Sequence, residues 1–206
     1  MKKVLIVDDH PAIRMSVRLL LEHEYYISGE ADNGIDAIRL FKSTEPDLIV
    51  LDIGIPKLDG FDVIKRMKEY DSTPKIIVLS AQDSSHFMAR SLQTGADGFI
   101  SKMNELTHIK DAVRVCLNGG HYFPSDILAN KKRLFGSDSI HLLDILSDRE
   151  MSVFMGLCQG KTNKDIANGM LLSEKTVSTY KTRVLEKLHV ENIVELIELA
   201  KRNEIL

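Results

Sequence analysis

Two aspartates stand side by side in "VLIVDDHP" (residues 4–11), and a third follows another apolar run in "LIVLDIGIPKLDG" (residues 48–60). Three carboxylates drawn to one place repel each other unless a cation lies among them. Mg²⁺ suits such a set, because it takes a few carboxylate or carbonyl oxygens and keeps several waters. Ser80 closes the run "IIVLS", and Lys102 follows "GFIS". A hydroxyl and an ammonium can each hold an anionic oxygen. A metal, an acceptor carboxylate, a hydroxyl and a lysine together make a site for a transferred phosphoryl group. Singly these residues have blander readings: an Asp after a strand is commonly a cap or turn residue, Ser80 a loop cap and Lys102 a surface lysine. Their joint placement after successive apolar runs carries the functional reading.

The runs themselves are strand-like. Apolar or β-branched stretches occur at 4–7, 48–51, 76–79 and 98–100, with a weaker one at 27–31. Between them Ile13, Val17, Leu20 and Leu21 repeat at helical spacing, as do Ile38 with Phe41, Phe61 with Ile64, and Ala112, Val113 and Cys116. Five alternations of strand and helix predict a doubly wound parallel sheet. Such sheets bind ligands outside the carboxyl ends of their strands, where Asp8, Asp9, Asp52, Ser80 and Lys102 fall.

The chain has 206 residues, a net charge of −3 and 44% hydrophobic residues. That is enough for two small domains, and no global positive charge announces a nucleic acid. No apolar run approaches the roughly 18 residues of a membrane span, and no signal peptide precedes Val4. Cys116 and Cys158 lack metal-ligand spacing and read as two reduced thiols of a cytoplasmic protein.

The alternation stops near Asn118-Gly119-Gly120. The reading is a domain over 1–120, a linker over 121–145 carrying Lys131-Lys132-Arg133, and a helical domain over 146–206. The basic cluster in the linker reads first as a solvated tether. Four helices are expected after it. Ser147 with Glu150 forms a capping box, Thr162 caps the second helix and Ser173 the third. Val177, Val184 and Leu188 form the inward stripe of that third helix. Its other faces carry Ser178, Thr179, Lys181, Thr182, Arg183 and Lys187. Short helix, turn and longer helix with hydroxyls and cations outward fits a helix-turn-helix, whose outward face meets base edges and phosphates. On composition alone, a solvated helix face outweighs DNA binding. Ile193, Leu196, Ile197 and Ala200 share one face of the fourth helix, either as core or as a dimer contact.

Residues 1–120 resemble the receiver domain of two-component response regulators. The resemblance rests on "DD", on "LDIGIP" with Pro56 four after Asp52, on Gly60, "LSA", "GADGF", and "SK" ending in Lys102. It implies a flavodoxin-like α/β fold, a five-stranded parallel sheet of order 2-1-3-4-5. It further implies that Asp52 accepts phosphate from a sensor histidine kinase or phosphotransfer domain. Asp8, Asp9, Asp52 and the Gly54 carbonyl would hold Mg²⁺. Ser80 and Phe99 match the switch hydroxyl and the switch aromatic, Phe99 standing where many members carry Tyr or His.

"LSDRE…GKTNKDIANGMLLSEKTVSTYKTRVLEKLHV" resembles the LuxR-type helix-turn-helix, departing from it at Ser152, Tyr180 and Glu191. The pair of domains is similar to the NarL/FixJ class, and "LDIGIPKLDG", "FPS" and "TVSTYKTR" place it nearest the BvgA/EvgA branch. Carried over residue by residue, Ser178, Thr179 and Thr182 meet base edges, while Thr162, Lys164, Lys181, Arg183 and Lys187 hold the DNA backbone. The resemblance implies a transcription regulator rather than an enzyme. Promoter DNA, a homodimer in the active state and RNA polymerase are its implied partners. A phosphatase using Asp52 as nucleophile is the competing class, but the haloacid-dehalogenase type needs Asp-x-Asp where this chain has adjacent aspartates. A ligand-sensing LuxR regulator would not need the acids at strand ends. A receiver used purely for protein docking would not retain DNA.

Overall fold

A computed structural model describes residues 1–70, 73–81, 85–102, 106–129, 145–170, 172–202 and 205. The chain divides into two compact units, Met1–Lys131 and Lys132–Leu206.

The first unit is a five-stranded parallel sheet of order β2-β1-β3-β4-β5. Its strands are β1 (Lys3–Val7), β2 (Tyr26–Ala31), β3 (Leu48–Asp52), β4 (Lys75–Ser80) and β5 (Gly98–Ser101). Helices α1 (Pro11–Leu21), α2 (Gly34–Thr44), α3 (Gly60–Lys68), α4 (Ser85–Gln93) and α5 (Ile109–Leu117) follow the strands in turn. β1 and β3 are central and apolar on consecutive residues because helices cover both of their faces. Val4, Ile6, Val50, Leu79 and Ile100 pack with Val17, Leu21, Ala112 and Val113 on the α1 and α5 side. Strand alternation sends Phe99 to the opposite face. β2 is the edge strand and largely half-exposed, which explains its weak sequence signal. A register shift between Val4 and Leu5 leaves Ser28 as an extra residue on β2.

The helix starts follow from the local sequence. Pro11 is tolerated at the first position of α1. The Asn33 side chain accepts from Asp36 N–H at 3.0 Å, and Asp59 accepts from Phe61 N–H at 2.9 Å.

The expected linker over 121–145 needs correction at its start. Tyr122 forms a parallel bridge to Gly98. Its N–H donates to the Asp97 carbonyl at 2.9 Å, and its carbonyl accepts from Phe99 N–H at 2.8 Å. Gly98 makes this approach possible, since a Cβ there would stand 3.2 Å from both Tyr122 Cβ and Cys116 Sγ. A short helix, α6 (Ser125–Ala129), follows, with Ile127 buried. Lys131-Lys132-Arg133 lies outside the described residues.

Among its described residues the second unit holds four helices: α7 (Asp148–Cys158), α8 (Asn163–Met170), α9 (Glu174–Lys187) and α10 (Ile193–Arg202). Their core comprises Met151, Val153, Phe154, Ile166, Val177, Val184, Leu196 and Ala200. The Ser147–Glu150 capping box is present, and Ser173 caps α9 through Thr176 N–H. On α10, Leu196 and Ala200 are core, whereas Ile193 and Ile197 are half-buried. No helix among the described residues is long and apolar enough to cross a membrane.

Candidate functional site

β1 and β3 pair in parallel, so their carboxyl ends present Asp8 and Asp52 to the same edge. Asp8 is fully buried, and Asp52 is 4% exposed. Lys102, just past β5, reaches between them. Its Nζ stands 2.7 Å from Asp8 Oδ2 and 2.7 Å from Asp52 Oδ2. Gly54 N–H donates to Asp52 Oδ1 at 2.9 Å, closing a tight turn after the strand. A Cβ on Gly54 would lie 3.5 Å from that same oxygen, so the glycine leaves this side of the carboxylate open.

The electrostatics follow from burial and pairing. Burial pushes the Asp52 carboxyl up, the Lys102 ammonium opposes this, and the nearby Asp8 charge adds to the rise. Burial works to strip the proton from Lys102, but the Asp52 and Asp8 carboxylates outweigh it and hold its pKa above the usual lysine value.

Asp8, Asp9, His10 and Asp52 each bring one ligand atom to within 4.8 Å of the others. Three carboxylates offer hard oxygen donors, which fit a divalent cation of the Mg²⁺ type. His10 is the member that sequence reasoning missed. Its place in the chain marks only the start of α1, and it does precede that helix as its N-cap residue. Its ring Nδ1 also lies 2.6 Å from Asp9 Oδ1 and 3.1 Å from Asp8 Oδ1. Its backbone N–H donates to Asp8 at 2.9 Å. Arg14 adds a donor to the Asp8 carbonyl at 2.7 Å. The spacing of Arg14, one helical turn after His10, is the one sequence signal for that contact.

Ser80 and Phe99, both 2% exposed, sit on the neighbouring strands. Lys102 N–H donates to the Ser80 carbonyl at 2.8 Å, which stitches the ends of β4 and β5 together beside the carboxylates. Phe99 is buried, and its backbone N–H donates to the Tyr122 carbonyl. Burial pushes the Cys116 thiol up to about 12 and the Cys158 thiol up to about 11, so neither is poised as a nucleophile.

The second unit carries the other candidate surface. Ser178, Thr179, Thr182 and Arg183 are exposed on α9, and Lys181 is half-buried. Thr179 and Thr182 donate their hydroxyls to the carbonyls of Lys175 and Ser178, one turn back, at 3.1 and 3.2 Å. Each oxygen thus remains outward with its acceptor lone pairs. Arg183 lies 5.9 Å from the centre of the Tyr180 ring. Ser173, Lys175, Thr176, Thr179, Tyr180 and Arg183 line a basin of about 300 Å³. Lys175, Thr176 and Tyr180 are additions to the predicted set.

On α8, Lys164 is exposed and Thr162 caps the helix, exchanging hydrogen bonds with Asp165. The family resemblance implies that Lys187 holds a DNA phosphate; in the structure it is exposed, and its ammonium pairs with the buried Glu150 carboxylate at 2.6 Å. The helix puts it at the end of the α9 face turned toward α7.

Residues 4–114 match the response regulator receiver domain, and residues 144–200 match the bacterial regulatory proteins of the luxR family. The chain is 48% identical over 206 residues to the virulence-factor transcription regulator BvgA of Bordetella pertussis, covering 98% of each. It is 34% identical over 204 residues to the DNA-binding transcriptional activator EvgA of Escherichia coli, again covering 98% of each. A solved complex of the response regulator RcsB with DNA superposes with a TM-score of 0.57 at 25% identity, covering 97% of this chain and 98% of that one.

Proposed function

The chain belongs to the two-component response regulators, a receiver followed by a LuxR-type DNA-binding domain, and from that premise we propose that Asp52 is its phosphoacceptor and α9 its reading helix. One observation carries the first part. A single ammonium, Lys102 Nζ, lies 2.7 Å from each of two buried carboxylates at the sheet edge.

An Asp52 oxygen attacks the phosphorus of a phosphohistidine on a partner kinase or phosphotransfer domain. The P–N bond breaks, the imidazole leaves with its electron pair, and Asp52 becomes an acyl phosphate. Asp8, Asp9, Asp52 and the Gly54 carbonyl would hold Mg²⁺, which neutralises phosphoryl oxygens when bound. The new group brings a charge of roughly −1.5 to −2. Lys102 follows it, and the Ser80 hydroxyl donates to a phosphoryl oxygen. Phe99 then turns into the space that Ser80 vacates. Coupling of this kind is typically about 1–3 kcal/mol.

The output is promoter binding in the cytoplasm. Ser178, Thr179 and Thr182 meet base edges, while Thr162, Lys164, Lys181 and Arg183 hold the backbone. A two-fold dimer would read half-sites about 10 bp apart and present itself to RNA polymerase.

The test has two arms. A small phosphodonor such as acetyl phosphate labels the wild-type chain at an acid-labile linkage and leaves D52N unlabelled. Selection of duplexes from random sequence returns two-fold-related half-sites, more strongly retained with the phosphodonor. Wild-type labelling of D52N would remove Asp52 as acceptor. Retention without sequence enrichment would remove α9 as a reader.

A further inference from the structure

Lys187 lies in the last turn of α9, and its Nζ makes two contacts. Glu150 Oε2 is 2.6 Å away, and the Ile145 carbonyl is 3.1 Å away. The same Glu150 oxygen accepts Ser147 N–H at 2.8 Å, and Glu150 is 3% exposed. One ammonium therefore joins the backbone leading into the domain, the first turn of α7 and the last turn of α9. We propose that Lys187 is a positioning residue that sets the seat of α9, and through it sequence discrimination, without touching DNA.

The proposal rests on the DNA-binding reading above. Val177, Val184 and Leu188 hold α9 against the core, but apolar contact is non-directional and tolerates small rotations or slides of a helix. A charged hydrogen bond to a buried carboxylate, made together with one to the Ile145 carbonyl, narrows the positions that the last turn of α9 can take. Ser178, Thr179 and Thr182 stand five to nine residues before Lys187. At 1.5 Å per residue they lie roughly 8–14 Å along the same rigid helix, so a tilt at Lys187 moves all three. Base-edge contacts demand placement within about 0.5 Å. Were Lys187 to turn to a phosphate instead, Glu150 would stay behind as a buried charge without its cation, which is strongly unfavourable.

The experiment uses the full chain, a duplex that the wild type has selected from random sequence, and an unrelated duplex of equal length, across a range of salt. K187M should lose about tenfold on the selected duplex and little on the unrelated one, with an unchanged salt slope. E150Q removes a carboxylate that is buried away from any DNA and should shift binding in the same direction. The double variant should lose no more than the worse single, and K187R should restore discrimination. If K187M unfolds the domain by circular dichroism, binding by E150Q decides between the two roles of Lys187. A salt slope lowered by about one unit in K187M, or wild-type discrimination in E150Q, overturns the proposal. Failure of the wild-type chain to select any duplex removes the DNA-binding reading and the proposal with it. Selection by the wild type with unaltered variants removes the proposal alone.

Discussion

Lys102 and Lys187 are both lysines drawn to a buried carboxylate, and they work under different constraints. The Lys102 side chain is 9% exposed and faces two acids, so it is a counter-ion enclosed with its charges. The Lys187 side chain is 42% exposed and faces one acid and a backbone carbonyl. On the proposed function, the enclosed lysine sits where phosphorylation of Asp52 adds negative charge, and the phosphoryl group becomes a further partner for it. On the positioning role proposed above, the open lysine keeps its partner when DNA binds. The same contrast separates the units. The sheet edge gathers buried like charges, whereas α9 holds Ser178, Thr179, Thr182 and Arg183 exposed.

The contrast can be broken most forcefully at Lys102. K102M leaves Asp8 and Asp52 facing each other without a cation. The receiver should lose roughly 3–5 kcal/mol in urea unfolding, and added Mg²⁺ should recover more stability in the variant than in the wild type. A loss well below this, with no metal rescue, would mean that the two carboxylates are not held together by Lys102. T182A probes the open surface. It should cost roughly 1–3 kcal/mol on a selected duplex and far less on an unrelated one, measured by fluorescence anisotropy. Equal loss on both would reassign Thr182 to the backbone. The smallest effect is in pH. Burial pushes the Glu150 carboxyl up, but hydrogen bonds from Lys187 and Ser147 outweigh it and hold the group below the ordinary 4.5. Its contribution is therefore complete above pH 4.5 and is lost as pH falls through the lowered value. Melting of the helical domain followed from about pH 6 to about pH 3 should show that loss in the wild type and a shallower one in E150Q. Identical acid limbs would detach Glu150 from the stability of the domain.

Much of this architecture is legible in the chain, and the reason lies in range. The strands at 48–51 and 76–79 announce themselves because both faces are covered, which leaves no room for polar residues. Caps at Ser147, Thr162 and Ser173 are legible because cap and partner are three residues apart. Asp8, Asp52 and Lys102 come together because a parallel sheet puts every carboxyl end on one edge, so topology replaces distance in sequence. What stayed hidden depends on pairs that no periodicity links. Lys187 and Glu150 are 37 positions apart on different helices, and helical spacing alone puts the lysine outward. Tyr122 joins β5 as a single residue, too short for any alternation to show. The His10 ring is drawn to Asp8 and Asp9 by a turn that the run of letters does not display.

The bridge at Tyr122 bears on solubility. β5 is four residues long and ends the sheet on its side. A bare outer strand is a template on which another polypeptide can lay itself down and begin an aggregate. Here the Asp97 carbonyl and Phe99 N–H, which a foreign strand would need, are already taken by Tyr122. Gly98 is what lets the chain close its own margin. A side chain at that position would pry the seal open and expose the receiver to self-association without touching Asp8, Asp52 or Lys102.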